Sequence, residues 1–197
     1  MLKLLVLISG SGSNLRALLE ATHAAEFPAE IIAVGADNEA SGLAHADEFD
    51  VSSFVLPPSG FASREAWGEA LIEAIEVFQP DLVVCAGFMR ILPANVVRRF
   101  SPNLINMHPA LLPLYPGAHA VRDALADGAT VTGCTVHIVD EGVDTGPVIR
   151  QVEVPIEPGD TEETLHERIK KVERALIVDT VREISLTHIN LQELARS

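Results

Sequence analysis

The sequence predicts an α/β fold: a single Rossmann-like domain whose mostly parallel, twisted sheet has helices on both faces and a long C-terminal helix. Short apolar runs alternate with segments whose apolar residues recur at helical spacing, as in parallel sheets with crossover helices. Hydrophobic residues make up 48% of the 197 residues and aromatic residues only 5%, so Leu, Val, Ile and Ala must form most of the core. At ~150 residues per domain, the length favours one domain.

The strands and helices follow in order from these patterns. We predict strands over residues 4–8, 30–36, 53–56, 82–86, 103–107, 130–139 and 147–154. We predict helices over residues 14–25, 41–49, a long segment between Ser63 and Pro80, 94–100, 118–127, and from Asp160 to about residue 185. Ser63 is expected to cap the third helix. In the last helix we expect Asp160 at the N-cap and Glu163 at the N3 position.

The charge of the chain argues against nucleic acid as a partner. Its 14 Lys and Arg residues against 28 Asp and Glu give a formal charge of −14, and no basic block is present. No stretch approaches the ~20 apolar residues of a membrane helix. Cys85 and Cys134 lie in apolar runs without CxxC spacing, as free thiols do in a reducing compartment. We therefore expect a cytoplasmic protein that acts on small molecules.

The loop after the first strand has the composition of a phosphate site. It reads Gly10-Ser11-Gly12-Ser13-Asn14 and opens the first helix, where backbone N–H groups and the helix dipole favour an anion. Leu15 replaces the third glycine of the dinucleotide fingerprint, and the lysine of a P-loop is missing. A tight Gly/Ser turn that binds nothing is an equally good interpretation of this motif alone.

Polar residues at the end of the fifth strand are candidates for catalysis. Asn106 offers amide donors for an oxyanion, and His108 can exchange a proton near neutral pH. The loop 140–146 contains Asp144, which beside His108 would raise the imidazole pKa and orient the ring. Each of these residues alone also fits a structural role, as a loop histidine or a turn aspartate. The orientation of His137, toward the core or toward a cleft, stays open.

Two further patterns each allow more than one interpretation. The segment 88–93, Phe-Met-Arg-Ile-Leu-Pro, follows the fourth strand and mixes apolar side chains with backbone polar groups, so it suits either a flat heteroaromatic ring or a plain strand-to-helix connection. A zinc site would require the fold to gather His108, His119, His137 and Asp144, whose scattered spacing makes this a weak alternative. We expect no metal.

Five segments in order along the chain resemble the glycinamide ribonucleotide formyltransferase family, folate-dependent enzymes of purine synthesis. The resemblance runs from residue 4 to about residue 180. The segments are ISGSGSNL at 8–15, SREAW at 63–67, AGFMRILP at 86–93, INMHPALLPLYPG at 105–117 and GCTVHIVDEGVDTGPVI at 133–149.

The resemblance implies roles for particular residues. The implied catalytic residues are Asn106, His108 and Asp144; the implied ribonucleotide ligands are Gly12, Ser13, Asn14 and Glu173; and the implied contacts of 10-formyltetrahydrofolate are Arg64, Met89, Arg90, Ile91, Leu92, Asn106, Asp140, Glu141, Gly142 and Val143. It also implies a phosphate-binding half over about residues 1–100 and a folate and catalytic half over about 101–197. Leu114 stands where family members commonly have Lys, and 174–177 departs from the family pattern after Glu173.

Three alternatives remain beside this interpretation. A methionyl-tRNA formyltransferase would carry an extra basic domain, and a formyltetrahydrofolate hydrolase would carry a second histidine where this chain has Pro109. A non-catalytic nucleotide-binding module would have no use for Asn106, His108 and Asp144. The implied reaction is direct attack of an amine on the formyl carbon, without metal, in a monomer or a homodimer.

Overall fold

The structure, a computed structural model, describes residues 1–196 and contains one seven-stranded sheet. The strand order is β3-β2-β1-β4-β5-β6-β7; the first five strands are parallel, and β6 and β7 run antiparallel to their neighbours. The strands are β1 (Leu2–Ile8), β2 (Ala29–Ala36), β3 (Ser52–Val55), β4 (Leu82–Cys85), β5 (Leu104–His108), β6 (Val131–Ile138) and β7 (Val148–Pro155). The mostly parallel α/β prediction is confirmed.

Helices cover both faces of the sheet, as predicted. They are α1 (Ser13–Thr22), α2 (Leu43–Glu48), α3 (Arg64–Glu76), α4 (Ala94–Phe100), α5 (Ala120–Ala126), α6 (Glu162–Ser185) and α7 (Leu191–Leu194). On one face α1 and α6 pack together and share a core with Leu4, Val6 and Ile8; on the other face α3 and α4 cover Leu5 and Leu7. Alternate residues of β1 thus point into two separate cores, which is why this central strand is apolar from Leu4 to Ile8.

The N-caps of α3 and α6 can be compared with the residues predicted for them. Ser63 caps α3 as predicted, since its Oγ accepts the N–H of Ala66 at 3.0 Å. The Asp160 and Glu163 prediction is wrong: the N-cap of α6 is Thr161, which forms a reciprocal capping box with Thr164. Asp160, the residue before the cap, instead accepts two hydrogen bonds from Arg168 at 2.6 and 2.9 Å and one from the Thr164 hydroxyl at 2.9 Å.

The strand order places a crevice above β1 and β4. The chain leaves β1 toward β2 on one side and returns to β4 on the other, and ligands of open parallel sheets bind at such a switch point. Here Ser9 N donates to the Gly87 carbonyl at 3.0 Å, which joins the loops that follow the two strands. Within residues 1–196 no helix combines the length and the apolar character needed to cross a membrane.

Candidate active site

A cleft of about 210 Å³ lies at the carboxyl edge of the parallel strands. Its walls come from the ends of β4 and β5, from β6, and from the two loops 87–92 and 139–144. The lining residues are Cys85, Gly87, Phe88, Met89, Arg90, Ile91, Leu92, Val97, Asn106, Met107, His108, Pro109, Gly117, Ala118, His137, Val139, Asp140, Gly142, Val143 and Asp144. The surface is mostly apolar with polar groups at one end, the composition of a small-molecule site.

The structure brings together Asn106, His108 and Asp144 at that polar end. Asn106 and His108 are two residues apart on β5 and therefore share one face of the strand. Asp144 Oδ2 lies 3.3 Å from His108 Nδ1, and Asp144 Oδ1 accepts from Asn106 Nδ2 at 3.5 Å. Three side chains separated by up to 38 positions in sequence thus form one contiguous group.

His137 belongs to the same cluster. It lies directly opposite Asn106 in the β5–β6 register, and its Nδ1 donates to the Ile138 carbonyl at 2.9 Å. Its Nε2 is 3.1 Å from Asn106 Nδ2 and 3.4 Å from Asp144 Oδ1. The orientation that the sequence left open is therefore toward the cleft, among the candidate catalytic groups.

The surroundings of His108 act on its pKa in opposite directions. Burial, the largest influence, lowers the pKa of the imidazole below its ordinary value. The charge of Asp144 and the Tyr115 carbonyl, which accepts from Nε2 at 2.8 Å, both favour the charged ring. Asp144 does raise the pKa as expected, but its effect is smaller than that of burial, so the net shift is downward and our expectation of a raised pKa needs correction.

Asp144 is held in its charged form. Burial would raise the pKa of this carboxyl, but the His137 side chain and the N–H of Gly117 outweigh burial and bring the pKa below its ordinary value. Gly117 N donates to Oδ2 at 2.8 Å. The residue has a φ of 54°, in the left-handed region that a non-glycine residue seldom adopts. A strained backbone position at a cluster of titratable groups is typical of functional sites.

The loop 87–92 forms the apolar part of the cleft. All of Met89, Arg90, Ile91 and Leu92 line it. Arg64 does not; its guanidinium Nη2 donates to the carbonyl oxygens of Ile91 at 2.7 Å and Leu92 at 3.1 Å. The predicted folate contact at Arg64 therefore lies behind the loop, where its charge supports the backbone that faces the cleft.

The loop between β6 and β7 supplies the opposite wall. Asp140, Gly142 and Val143 line the cleft, whereas Glu141 faces away and forms an exposed ion pair with Arg98. The carboxylate of Asp140 accepts from the Thr145 hydroxyl at 2.8 and 2.9 Å and from Gly142 N at 3.1 Å. Asp140 thus shapes the loop, and the carboxylate that reaches the polar end of the cleft is Asp144.

The predicted phosphate loop lies outside this cleft, at the start of α1. Gly12 is the N-cap of α1 with a φ of 69°, and no acidic residue occupies the first turn. A Cβ on Gly12 would lie 3.1 Å from Gly42 Cα, so both conformation and space require glycine. The N–H groups of this ten-residue helix open toward the carboxyl edge of the sheet, an arrangement suited to an anion.

Asn14 and Glu173 connect this loop to α6. Asn14 Nδ2 donates to Glu173 Oε2 at 3.1 Å, and both side chains are buried. Among the described residues the Asn14 Oδ1 atom is one of two buried side-chain polar atoms without a hydrogen-bond partner. Burial raises the pKa of Glu173, which the Asn14 hydrogen bond only partly offsets. A ligand hydroxyl group could donate to this unpartnered Asn14 oxygen, beside a carboxyl group whose pKa is raised by burial.

Lys170 is a candidate that sequence reasoning missed. It lies one helical turn before Glu173 on α6, and its charge acts on the Glu173 carboxylate. The position is half-buried, whereas the neighbouring Lys171 is exposed. Lys170 Nζ pairs with Glu167 Oε1 at 2.6 Å. In a chain with a charge of −14, a lysine at helical spacing from Glu173 is a sequence signal for an anion-binding role.

The candidate zinc ligands are only partly gathered. His119 is exposed at the start of α5, apart from His108 and His137. Across residues 1–196 no three His, Cys, Asp or Glu side chains are arranged to hold a metal ion.

Comparison with known proteins yields a consistent set of relatives. A family model described as formyl transferase matches residues 2–181. Phosphoribosylglycinamide formyltransferase of Mycobacterium tuberculosis (strain ATCC 25618 / H37Rv) is 50% identical over 186 residues, which span 94% of this chain and 86% of the relative. The Escherichia coli (strain K12) protein of the same name is 41% identical over 176 residues, spanning 89% and 83%.

Solved structures agree with these sequence relatives. The crystal structure of glycinamide ribonucleotide transformylase 1 from Symbiobacterium toebii superposes with a TM-score of 0.92 at 39% identity, covering 95% of this chain and 89% of that one. The similarity therefore includes both the sequence and the arrangement of the whole sheet.

Proposed function

The chain belongs to the formyl transferase family, and we propose that it transfers the formyl group of 10-formyltetrahydrofolate to the amine of glycinamide ribonucleotide in purine biosynthesis. The relatives that span nearly its whole length carry the name phosphoribosylglycinamide formyltransferase. The observation that carries the proposal for this chain is the convergence of Asn106, His108 and Asp144 at the polar end of one cleft.

The cleft suits the folate co-substrate. The pteridine lies between the loop 87–92 and the loop 139–144, where the apolar side chains of Ile91, Leu92 and Val143 cover the ring faces. Backbone groups of the loop 87–92 hydrogen-bond the ring edge, and Arg64 keeps the carbonyls of Ile91 and Leu92 in place. The formyl group then lies at the polar end, beside Asn106.

The ribonucleotide occupies the neighbouring subsite. Its phosphate lies on the N–H groups at the start of α1, with Gly12, Ser13 and Asn14. Glu173 accepts hydrogen bonds from the ribose hydroxyls and Lys170 adds positive charge. The glycinamide amine extends across the β1–β4 crevice to the formyl carbon. The phosphate loop and the catalytic residues therefore fall in the two proposed halves of the chain, while Glu173 and the loop 87–92 cross that division.

The reaction is acyl transfer without a covalent enzyme intermediate. The amine nitrogen bonds to the formyl carbon, the carbonyl oxygen gains charge, and the bond to the folate nitrogen then breaks as that nitrogen gains a proton. Asn106 Nδ2 donates to the oxyanion, and the positive charge of protonated His108, whose two N–H groups face the Tyr115 carbonyl and Asp144, stabilises the oxyanion electrostatically. Asp144 keeps an acceptor beside His108 and helps move the proton from the attacking nitrogen to the leaving nitrogen.

Both ring nitrogens of His108 face acceptors in this geometry. The Tyr115 carbonyl is 2.8 Å from Nε2 and Asp144 Oδ2 is 3.3 Å from Nδ1. A neutral imidazole can donate to only one of them, and an imidazolium can donate to both. The contacts therefore favour protonation at the step where the oxyanion forms, although burial lowers the pKa of the free site.

The two cysteines agree with a cytoplasmic enzyme. Cys85 and Cys134 are buried free thiols, and burial raises the pKa of each to about 12, so both stay protonated and inert, as expected in the cytoplasm. The substrates are small molecules, and the reaction requires neither nucleic acid nor a membrane. The enzyme acts as a monomer or a homodimer.

The decisive experiment is a formyl-transfer assay on the purified protein with a 10-formylfolate and glycinamide ribonucleotide. Release of the deformylated folate is expected only when the ribonucleotide is present. Release without the ribonucleotide would indicate a hydrolase, and no release would leave a nucleotide-binding module. In the same assay His108→Ala is expected to lower turnover by about 10²–10⁴-fold.

A matched histidine provides the control. His188 is 61% exposed and pairs with Glu183 far from the cleft, so His188→Ala should retain wild-type turnover. Near-normal turnover of His108→Ala, with an unchanged circular dichroism spectrum, would contradict the assigned mechanism.

A further inference from the structure

The mechanism leaves one buried carboxylate at the carboxyl edge of the sheet without a role. Asp37 follows the last residue of β2, and its side chain is only 2% exposed. It does not line the cleft. A buried charged group must be paired, because removing it from water is costly.

The partner of Asp37 is a residue of the loop 87–92. Arg90 Nε donates to Asp37 Oδ2 at 2.7 Å, while the Arg90 side chain remains 54% exposed. The second carboxylate oxygen accepts from Asn38 Nδ2 at 2.9 Å. Hydrogen bonds with Ser9, Arg90 and Asn38 outweigh the effect of burial and lower the pKa of Asp37, so the carboxylate is charged at neutral pH.

Ser9 extends this network to the loop backbone. Its Oγ accepts from Met89 N at 2.7 Å, and its carbonyl accepts from Asn38 Nδ2 at 3.0 Å. The loop 87–92 is thus held at the Met89 amide and at the Arg90 side chain by groups that follow β1 and β2. Met89 and Ile91 themselves are exposed, at 70% and 56%, so their own side chains do little to fix the loop.

We propose that Asp37 is a positioning residue for the folate co-substrate. Through its ion pair with Arg90, it fixes the backbone of the loop 87–92 in the conformation that receives the pteridine. The inference rests on the proposed function. It adds a residue from β2, outside both loops of the cleft, to those that determine how the co-substrate binds.

The proposal distinguishes the two substrates. Among residues 1–196 no hydrogen bond joins Asp37 to the start of α1 or to Glu173; its link to that end runs through Ser9, whose N–H is also held by the Gly87 carbonyl. Loss of Asp37 should therefore weaken folate binding much more than ribonucleotide binding. Because Asp37 contacts no reacting atom, the turnover at saturating folate should also change little. Loss of a residue that only stabilised the fold would not raise the folate KM selectively.

The test variant is Asp37→Asn, which keeps the shape and removes the charge. We expect the KM for 10-formyltetrahydrofolate to rise about tenfold, as for loss of a charge-assisted hydrogen bond, with kcat and the ribonucleotide KM within about twofold of wild type. Arg90→Gln also alters a side chain that lines the cleft, so it should raise the folate KM at least as much, and the double variant should show no more than the rise of Arg90→Gln alone, because Asp37 acts through Arg90. The double variant also leaves no unpaired buried charge.

The matched control is Asp160→Asn. Asp160 is also a buried carboxylate, 5% exposed, paired with Arg168, but it lies at the start of α6 outside the cleft. This change should lower the melting temperature and leave the folate KM as in wild type. Equal effects of Asp37→Asn and Asp160→Asn on the folate KM would overturn the proposal, as would an unchanged folate KM in Asp37→Asn.

Amide hydrogen exchange separates this inference from the proposed function. Exchange at Met89, whose N–H is bonded to Ser9, should become faster in Asp37→Asn and not in Asp160→Asn. If wild-type protein transfers no formyl group, the proposed function fails while the exchange measurement still tests the loop. Unchanged exchange at Met89 in Asp37→Asn would refute the positioning role even if the enzyme is active.

Discussion

The catalytic end of the site contains a half-buried carboxyl group, Asp144, and its ribonucleotide end a buried one, Glu173, and the two carboxyl groups behave differently. Asp144 is surrounded by donors, and its pKa lies below the ordinary value despite burial. Glu173 has one donor, Asn14, and burial raises its pKa. The charge of a buried acid therefore depends on the number of donors around it as well as on its depth. The catalytic end is complete in itself, whereas the ribonucleotide end is left with an unpartnered Asn14 Oδ1 for a ligand.

The largest effect is expected at the catalytic end. Asp144→Asn removes the charge that favours the imidazolium, so turnover should fall by about 100-fold. The pKa of His108 should fall further, because Asp144 raises it in the wild-type protein. A histidine NMR titration and the pH profile of kcat/KM measure both effects, and the pH limb that requires protonated His108 should move to lower pH.

Glu141→Gln is the control for that change. Glu141 belongs to the same loop but is exposed and paired with Arg98, so its loss should leave turnover and the His108 titration unchanged. If Asp144→Asn left the titration of His108 where it is in wild type, the two groups would not be coupled and the catalytic end would need another description.

An intermediate effect is expected at the ribonucleotide end. Lys170→Ala removes the cation beside Glu173 and should raise the ribonucleotide KM by about tenfold, as for loss of a hydrogen bond to a charged group, with little change in the folate KM. Lys171→Ala, at an exposed position on the same helix, should change neither constant. Steady-state kinetics with each substrate varied in turn distinguishes these outcomes. Similar effects of both variants would mean that only the overall charge of α6 matters.

The smallest effect concerns thermal stability and the buried carboxyl group of Glu173. Because the pKa of Glu173 is raised on folding, the folded state binds more protons than the unfolded state above the ordinary pKa, and stability is lost as pH rises through that range. Glu173→Gln keeps an acceptor for Asn14 and removes this loss. Its melting temperature at pH 8 should exceed that of wild type by about 2–4 °C, the change that 1 kcal/mol produces in a chain of this size.

The same measurement at low pH tests whether the ionised Glu173 carboxylate causes the difference. Below the ordinary pKa of glutamate both states of the wild-type protein are protonated at this site, so the advantage of Glu173→Gln should disappear. Glu163→Gln, at an exposed position near the start of α6, should show no advantage at either pH. A lower melting temperature of Glu173→Gln at pH 8 would show that the carboxylate is stabilising and that its burial is compensated by another group.

Much of the site could be predicted locally. The Gly/Ser loop at the start of α1 and the pair Asn106 and His108, two residues apart on a strand that ends at the ligand edge, follow from periodicity and from the rules of parallel sheets. Resemblance to a family supplied the partners that are distant in sequence. Neither route showed that Arg64 holds the back of the loop 87–92, or that Glu141 faces away from the cleft.

The N-cap of α6 shows why local signals fail. Asp160 with Glu163 reads as a capping signature, yet Thr161 and Thr164 form the cap, and Arg168, eight residues along, holds the Asp160 carboxylate. Asp160 and Thr161 are both residue types that cap helices, and the contact of Asp160 with Arg168 lies outside the capping motif. Asp37 is a similar case, since its only notable feature in the sequence is its position after a strand.

By itself the sequence determined the alternation of strands and helices, the two-sided core and the carboxyl edge at which ligands bind, because burial pattern and spacing are properties of neighbouring residues. Only the tertiary structure decided that His137 faces the cleft, that burial outweighs Asp144 at the imidazole of His108, and that Asp37 holds Arg90. These depend on desolvation and on distances between groups far apart in sequence, which are fixed only when the sheet has assembled.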